Sequence, residues 1–92
     1  MEDKISLEDN RFRLSSLSEK ETAKIVGISK ECRGDNRRRL LDLGFVKGAD
    51  ICIDLLSPLN NPKAYLIKGT SIALRNSQAS HILIQKNHHY AG

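Results

Sequence analysis

Asp35-Asn36-Arg37-Arg38-Arg39-Leu40-Leu41-Asp42-Leu43-Gly44-Phe45 is the stretch on which the reading of this chain turns. It reads as one short helix with both ends marked. Asp35 or Asn36 supplies a side-chain acceptor for the first free backbone N–H groups, and Gly44 takes the left-handed conformation that ends the helix. Phe45 then packs back onto Leu40, and Leu40 and Leu43 share a face at i, i+3 spacing. The charges run against the helix. Arg37, Arg38 and Arg39 stand in the first turns, where the macrodipole is positive, and Asp42 stands in the last, where it is negative; each placement costs roughly 0.3–1 kcal/mol when exposed. Either the arginine stems cover apolar surface and Asp42 accepts hydrogen bonds, from a loop or from Arg38 or Arg39, or some of the arginines are presented to a partner.

Upstream, Thr22 to Ile28 has the β-branched content of a strand, with Gly27 marking a bulge or tight bend. Before it, Phe12 begins a tighter pattern in which Leu14 and Leu17 are spaced for a turn packed on the core. Downstream, the Val46-Lys47-Gly48 turn feeds a strand over 50–55, in which Ile51, Ile53 and Leu55 alternate with Asp50, Cys52 and Asp54. Residues 57–62 hold both prolines and form a loop. Residues 64–68 and 71–75 pair as a hairpin through a two-residue Gly69-Thr70 turn. Asn76 to Ser80 is long enough for one helical turn, and 81–85 reads as a closing strand. Five short strands with a helix after the first predict a mainly β protein with one short inserted α-helix, folded as a small, highly curved antiparallel sheet or barrel.

With 92 residues, the chain has room for one core. The pattern divides it into an N-terminal arm over 1–11, a folded domain over 12–85 and a polar tail over 86–92. A net charge of +4 with 28% charged residues describes a mildly basic chain, compatible with an acidic protein surface, nucleic acid or anionic lipid. No apolar run approaches the roughly 18–20 residues that span a bilayer, and the polar start at Met1-Glu2-Asp3-Lys4 is unlike a signal peptide, so a cytoplasmic location is expected. Cys32 and Cys52 lack the spacing of a zinc ribbon and read as free thiols, Cys52 as a small buried hydrophobe in a strand and Cys32 in a polar loop.

Catalytic chemistry has little to stand on. There is no glycine-rich phosphate loop, nucleophile elbow or paired carboxylate motif, so no catalytic or cofactor-binding residue is expected. His88 and His89 adjoin in the polar tail without a third ligand at helical spacing, and His81 is expected half-buried at the start of the last strand, so no metal site is expected either. Arg37, Arg38 and Arg39 suit phosphates, but four aromatic residues, Phe12, Phe45, Tyr65 and Tyr90, make no stacking platform, and nucleic acid is not an expected partner. The same scarcity argues against an aromatic groove for proline-rich peptides.

The run Arg37-Arg38-Arg39-Leu40-Leu41-Asp42-Leu43-Gly44-Phe45, then Gly48, Ser57-Pro58-Leu59, Ile72-Ala73-Leu74-Arg75 and Ala79, closely resembles the FeoA family of ferrous-iron transport accessory proteins. The resemblance spans about residues 12–85. It implies a small SH3-like barrel in the bacterial cytoplasm, acting without catalysis on FeoB, the membrane-embedded ferrous-iron permease whose cytoplasmic G domain hydrolyses GTP. Membrane association would then be peripheral, at the inner membrane, through that partner. Family members often carry Gly in the turn before the first long strand and Pro before Gly48; here Ser18-Glu19-Lys20-Glu21 and Lys47 stand instead. Partner contacts are expected at Arg37, Arg38, Arg39, Lys47, Pro58 and Leu59, because an aliphatic residue beside proline on a loop is useful to bury. Asp35, Leu40, Asp42, Leu43, Gly44 and Phe45 are expected to serve the fold. A monomer is expected, with weak self-association as the alternative. Two other functions compete: a stand-alone regulatory module like the SH3-like domain of metal-dependent repressors, and a weak nucleic-acid binder.

Overall fold

The computed structural model describes residues 11–57 and 60–87. Among them, six strands form one antiparallel sheet in the order β1-β6-β2-β3-β4-β5. The strands are β1 (Arg11–Arg13), β2 (Thr22–Ile28), β3 (Asp50–Ile53), β4 (Lys63–Ile67), β5 (Thr70–Leu74) and β6 (Ile82–Lys86). A 3₁₀ turn, Leu14–Ser16, follows β1; helix α1, Gly34–Asp42, joins β2 to β3; and a single turn of helix, α2, Asn76–Ala79, joins β5 to β6. The sequence reading missed β1, whose three residues pair Phe12 with Ile84 and Arg13 with Leu83 on the outer edge of β6. Its partner, and not its own pattern, makes it a strand. Residues 1–10, assigned to the arm, and 88–92, in the tail, lie outside the described residues, whereas Arg11 and Lys86 are strand residues.

β2 is central and pairs with both β3 and β6. Its register against β6 runs Ile25↔Ile84 and then Gly27↔Leu83, so the bulge expected at Gly27 is present. One face of the sheet carries Ile25, Ile51, Ile67, Ile82 and Ile84, all at most 2% exposed, and Leu14, Leu17, Leu40, Phe45 and Tyr65 complete the same buried cluster. At about 25 cal/mol per Å² of apolar surface removed from water, these ten side chains, each contributing roughly 1.5–3 kcal/mol, dominate the stabilisation.

The β4–β5 hairpin turns one residue earlier than expected. Ile67 pairs with Thr70, which leaves Lys68 and Gly69 as the turn, with φ of 51° and 79°. Positive φ at both central residues is the primed geometry whose twist matches that of the flanking strands. β3 also ends early, at Ile53, and Leu55 is not inward-facing as the alternation implied but 66% exposed. The cysteines exchange roles: Cys32 is buried and Cys52 intermediate, because Cys52 shares the outward face of β3 with Asp50.

The Ser18–Glu21 turn is held by its own side chain. Glu21 Oε1 accepts the Ser18 N–H at 2.9 Å and faces Lys86 Nζ at 3.1 Å, and the Glu21 N–H reaches the Ser18 carbonyl at 3.1 Å. The Ser18 backbone donor, helped by Lys86 and opposed by desolvation, holds the Glu21 carboxyl below its ordinary range.

Candidate partner-binding face and an adjoining cleft

α1 ends as the sequence predicts. Gly44 has φ 111°, its N–H donates to the Leu41 carbonyl at 3.0 Å, and the Phe45 N–H donates to the Leu40 carbonyl at 3.1 Å. These are the two bonds of a Schellman stop, and Leu40 and Phe45, the residues it brings together, are both buried in the core. The start differs. Neither Asp35 nor Asn36 caps the helix; Arg33, in extended conformation, precedes it with no side-chain cap bond, and Gly34 has φ 63°. Asp35 consequently falls in the first turn and Arg39 in the last, where the helix dipole favours each sign of charge. Arg37, Arg38 and Asp42 remain the residues placed against it.

The three arginines separate. Arg37 is part-buried, and its Nη1 donates to the carbonyls of Ile28 at 3.3 Å and Ser29 at 3.4 Å, tying α1 to the end of β2. Expected at the partner interface, it is engaged within the fold. Ser29 is buried and fully used: its N–H reaches the His81 carbonyl at 2.7 Å, its Oγ accepts the Glu31 N–H at 3.2 Å, and its carbonyl takes the Cys32 N–H at 3.0 Å. Arg38 and Arg39 are exposed, with no ion pair or side-chain hydrogen bond among the described residues. Asp42, expected as an internal acceptor, is equally exposed and forms no such bond among them. Leu43, assigned to the core side of the helix, is 37% exposed, and Leu41 is 39% exposed. Asp35, Arg38, Arg39, Asp42 and Leu43 line one shallow depression on the helix. Lys47 is exposed on the turn after α1, a turn pinned by the Gly48 N–H to the Ile25 carbonyl at 2.7 Å.

Pro58 and Leu59 lie outside the described residues. Just before them stand Leu55, expected inside the strand over 50–55, and Leu56, which is 94% exposed. Asp54 sets this loop. Its Oδ1 accepts the Leu56 N–H at 3.0 Å, its Oδ2 accepts the Ser71 hydroxyl at 2.6 Å, and its own N–H reaches the Ala64 carbonyl at 3.0 Å. The signal available in the sequence was Asp54 itself, a residue that bonds the backbone two positions on and so ends a strand.

A separate cleft of about 210 Å³ lies where α1, the 29–33 loop and α2 meet. Arg33, Asn36 and Arg39 line it from one side, and Ser77, Gln78 and His81 from the other. His81 is half-buried, as expected, and immediately precedes β6. No group of three His, Cys, Asp or Glu side chains suited to a metal ion occurs among the described residues.

Residues 12–86 match the family model described as the FeoA domain. The chain belongs to the FeoA family. A curated relative, the Fe(2+) transport protein A/Fe(2+) transporter FeoB fusion protein of Porphyromonas gingivalis (strain ATCC BAA-308 / W83), is 37% identical over 74 residues, which is 80% of this chain and 8% of that protein. The chain thus spans less than a tenth of that relative's length. Among solved structures, the FeoA-like protein from Clostridium acetobutylicum is 31% identical with a TM-score of 0.69, over 90% of this chain and 98% of that one. FeoA of Stenotrophomonas maltophilia, crystallised with zinc and described as a prokaryotic SH3 domain protein, is 26% identical with a TM-score of 0.69, over 83% of this chain and 95% of that one. The expected fold, mainly β with a short inserted helix and SH3-like, is the fold of the family. No helix among the described residues is long and apolar enough to cross a membrane.

Proposed function

We propose that this FeoA-family protein is a non-enzymatic accessory of bacterial ferrous-iron uptake that docks on the cytoplasmic part of a FeoB-type permease and modulates its transport or GTPase cycle. The observation that carries this reading is the Porphyromonas gingivalis relative, in which a matching segment belongs to one polypeptide with a FeoB transporter. Fusion keeps two modules at high effective concentration, which serves a contact that is otherwise weak. A cytoplasmic location follows from the same reading, with the membrane reached through the permease.

The α1 face supplies the docking chemistry. Arg38 and Arg39 are cations with no partner among the described residues, beside the exposed Leu41 and Leu43, and a second apolar contact is offered by Leu55 and Leu56, held out by Asp54. Arginines next to exposed aliphatic side chains have the composition of an interface. Lys47 extends the basic face; Pro58 and Leu59 extend the apolar loop in sequence. The fold-bound Arg37 leaves Arg38 and Arg39 as the residues able to reach a partner's nucleotide.

The test is a pull-down and a titration against the soluble G domain of the permease, together with its GTP turnover. Binding that weakens about tenfold or more with Arg38→Glu supports the reading, since loss of a desolvated charge pair costs roughly 2 kcal/mol or more. Retained binding by that variant removes the arginines from the interface.

A further inference from the structure

The cleft between α1, the 29–33 loop and α2 does not belong to the docking face, although Arg39 borders both. Its wall is rich in donors. Arg33 and Arg39 are exposed and have no ion pair or side-chain hydrogen bond among the described residues. The Gln78 carboxamide oxygen is occupied by the Arg75 N–H at 3.0 Å, which leaves its NH₂ group to donate. The His81 ring lines the facing wall, with its Nδ1 buried and without a hydrogen-bond partner among the described residues.

We propose that this cleft is a binding site for a small oxyanion, a phosphate or a carboxylate. Two guanidinium groups and a carboxamide donor lining one cleft offer the charge-assisted contacts that planar and tetrahedral oxyanions accept. The cavity, at about 210 Å³, admits one such group with a few waters and falls below the roughly 300–1,000 Å³ of sites that enclose drug-sized ligands. Glu31 stands on the same wall and sets the charge balance. Its carboxylate offsets one of the two arginine charges at the cleft.

Amide resonances followed by NMR during separate titrations with inorganic phosphate and with acetate, against sodium chloride at matched ionic strength, test the site. Saturable shifts confined to Arg33, Asn36, Ser77, Gln78, His81 and their neighbours are expected. Phosphate alone saturating identifies a phosphoryl ligand; acetate saturating at equal or lower concentration identifies a carboxylate. Arg39→Gln should weaken binding about tenfold, the loss expected for one charge-assisted contact. Arg33→Gln with Arg39→Gln should abolish saturation, Glu31→Gln should tighten it, and Lys20→Gln, on the turn before β2, should leave it unchanged. The spectra themselves report whether each variant is folded. Equal shifts with chloride, or saturation that survives in the folded double variant, overturn the proposal. Permease binding is not involved in this measurement, so its outcome is independent of the docking reading.

Discussion

Replacing Gly44 with alanine isolates the element that stops α1 and returns the chain to the core. At φ 111° a residue with a Cβ sits in a sparsely populated region, which costs about 1–3 kcal/mol. An added Cβ at this position meets no heavy atom within 4 Å, so the cost is conformational and not steric. If the backbone relaxes instead, the Gly44-to-Leu41 and Phe45-to-Leu40 bonds are lost, at about 0.5–1.5 kcal/mol each, and Phe45 leaves its buried position. The second route costs more, since the lost burial of Phe45 adds to the two bonds, so the backbone is expected to hold and the destabilisation to be roughly 1–3 kcal/mol, a large share of the roughly 5–15 kcal/mol that a small domain has. Urea unfolding reads it as a lower midpoint with an unchanged slope. Gly27→Ala is the control, because Gly27 also has open space around it and no left-handed backbone; its effect should stay within about 1 kcal/mol of zero. A Gly44→Ala variant as stable as the parent, or no worse than Gly27→Ala, refutes the argument that glycine is required there.

Three further outcomes follow from other sites. Arg37→Ala should destabilise by about 1–2 kcal/mol through loss of its bonds to Ile28 and Ser29, while Arg38→Ala stays within about 0.5 kcal/mol, both measured by urea unfolding. Tyr65→Phe should be neutral or stabilising by up to about 1 kcal/mol, because the buried Tyr65 hydroxyl has no hydrogen-bond partner among the described residues. Burial raises the Tyr65 phenol above its ordinary value near 10, so the folded state retains that proton longer than the unfolded state, and stability present below pH 10 falls as pH rises above it. Tyr65→Phe should lose less stability over that alkaline range, as unfolding at stepped pH will read. Lys68→Asn should raise stability by about 0.5–1 kcal/mol in thermal unfolding, since Asn accepts the positive φ that Lys68 holds at 51°.

The legible parts of the fold are those where one residue type is forced by the backbone or by periodicity. Gly44 followed by Phe45 announces a helix stop, and the alternation from Asp50 to Ile53 gives the burial of β3. Cys52 shows the limit of residue type as a guide: its place in that alternation, and not its hydrophobicity, sets its exposure. The helix start was obscured because it uses Arg33 and Gly34 without a side-chain cap, so nearby Asp35 and Asn36 mimicked one. β1 has three residues, too few to show a period, and exists through pairing with β6. In the candidate site, the sequence left open whether the arginines cover apolar surface or are presented, because the exposure of Arg38 and Arg39 and the capture of Arg37 by two carbonyls depend on how β2 ends against α1. The oxyanion cleft joins residues 31–40 to 77–81 across the molecule, a juxtaposition that no local pattern records.

The proposal that this FeoA-family protein docks on a FeoB-type permease rests on α1, and binding to the soluble G domain of such a permease tests it most directly. The measurement is titration of that domain with the parent protein and with Arg38→Glu, each checked for the same unfolding midpoint. Saturable binding by the parent and at least a tenfold weaker complex with the variant are predicted. No binding by the parent, or equal affinity of both, contradicts the account.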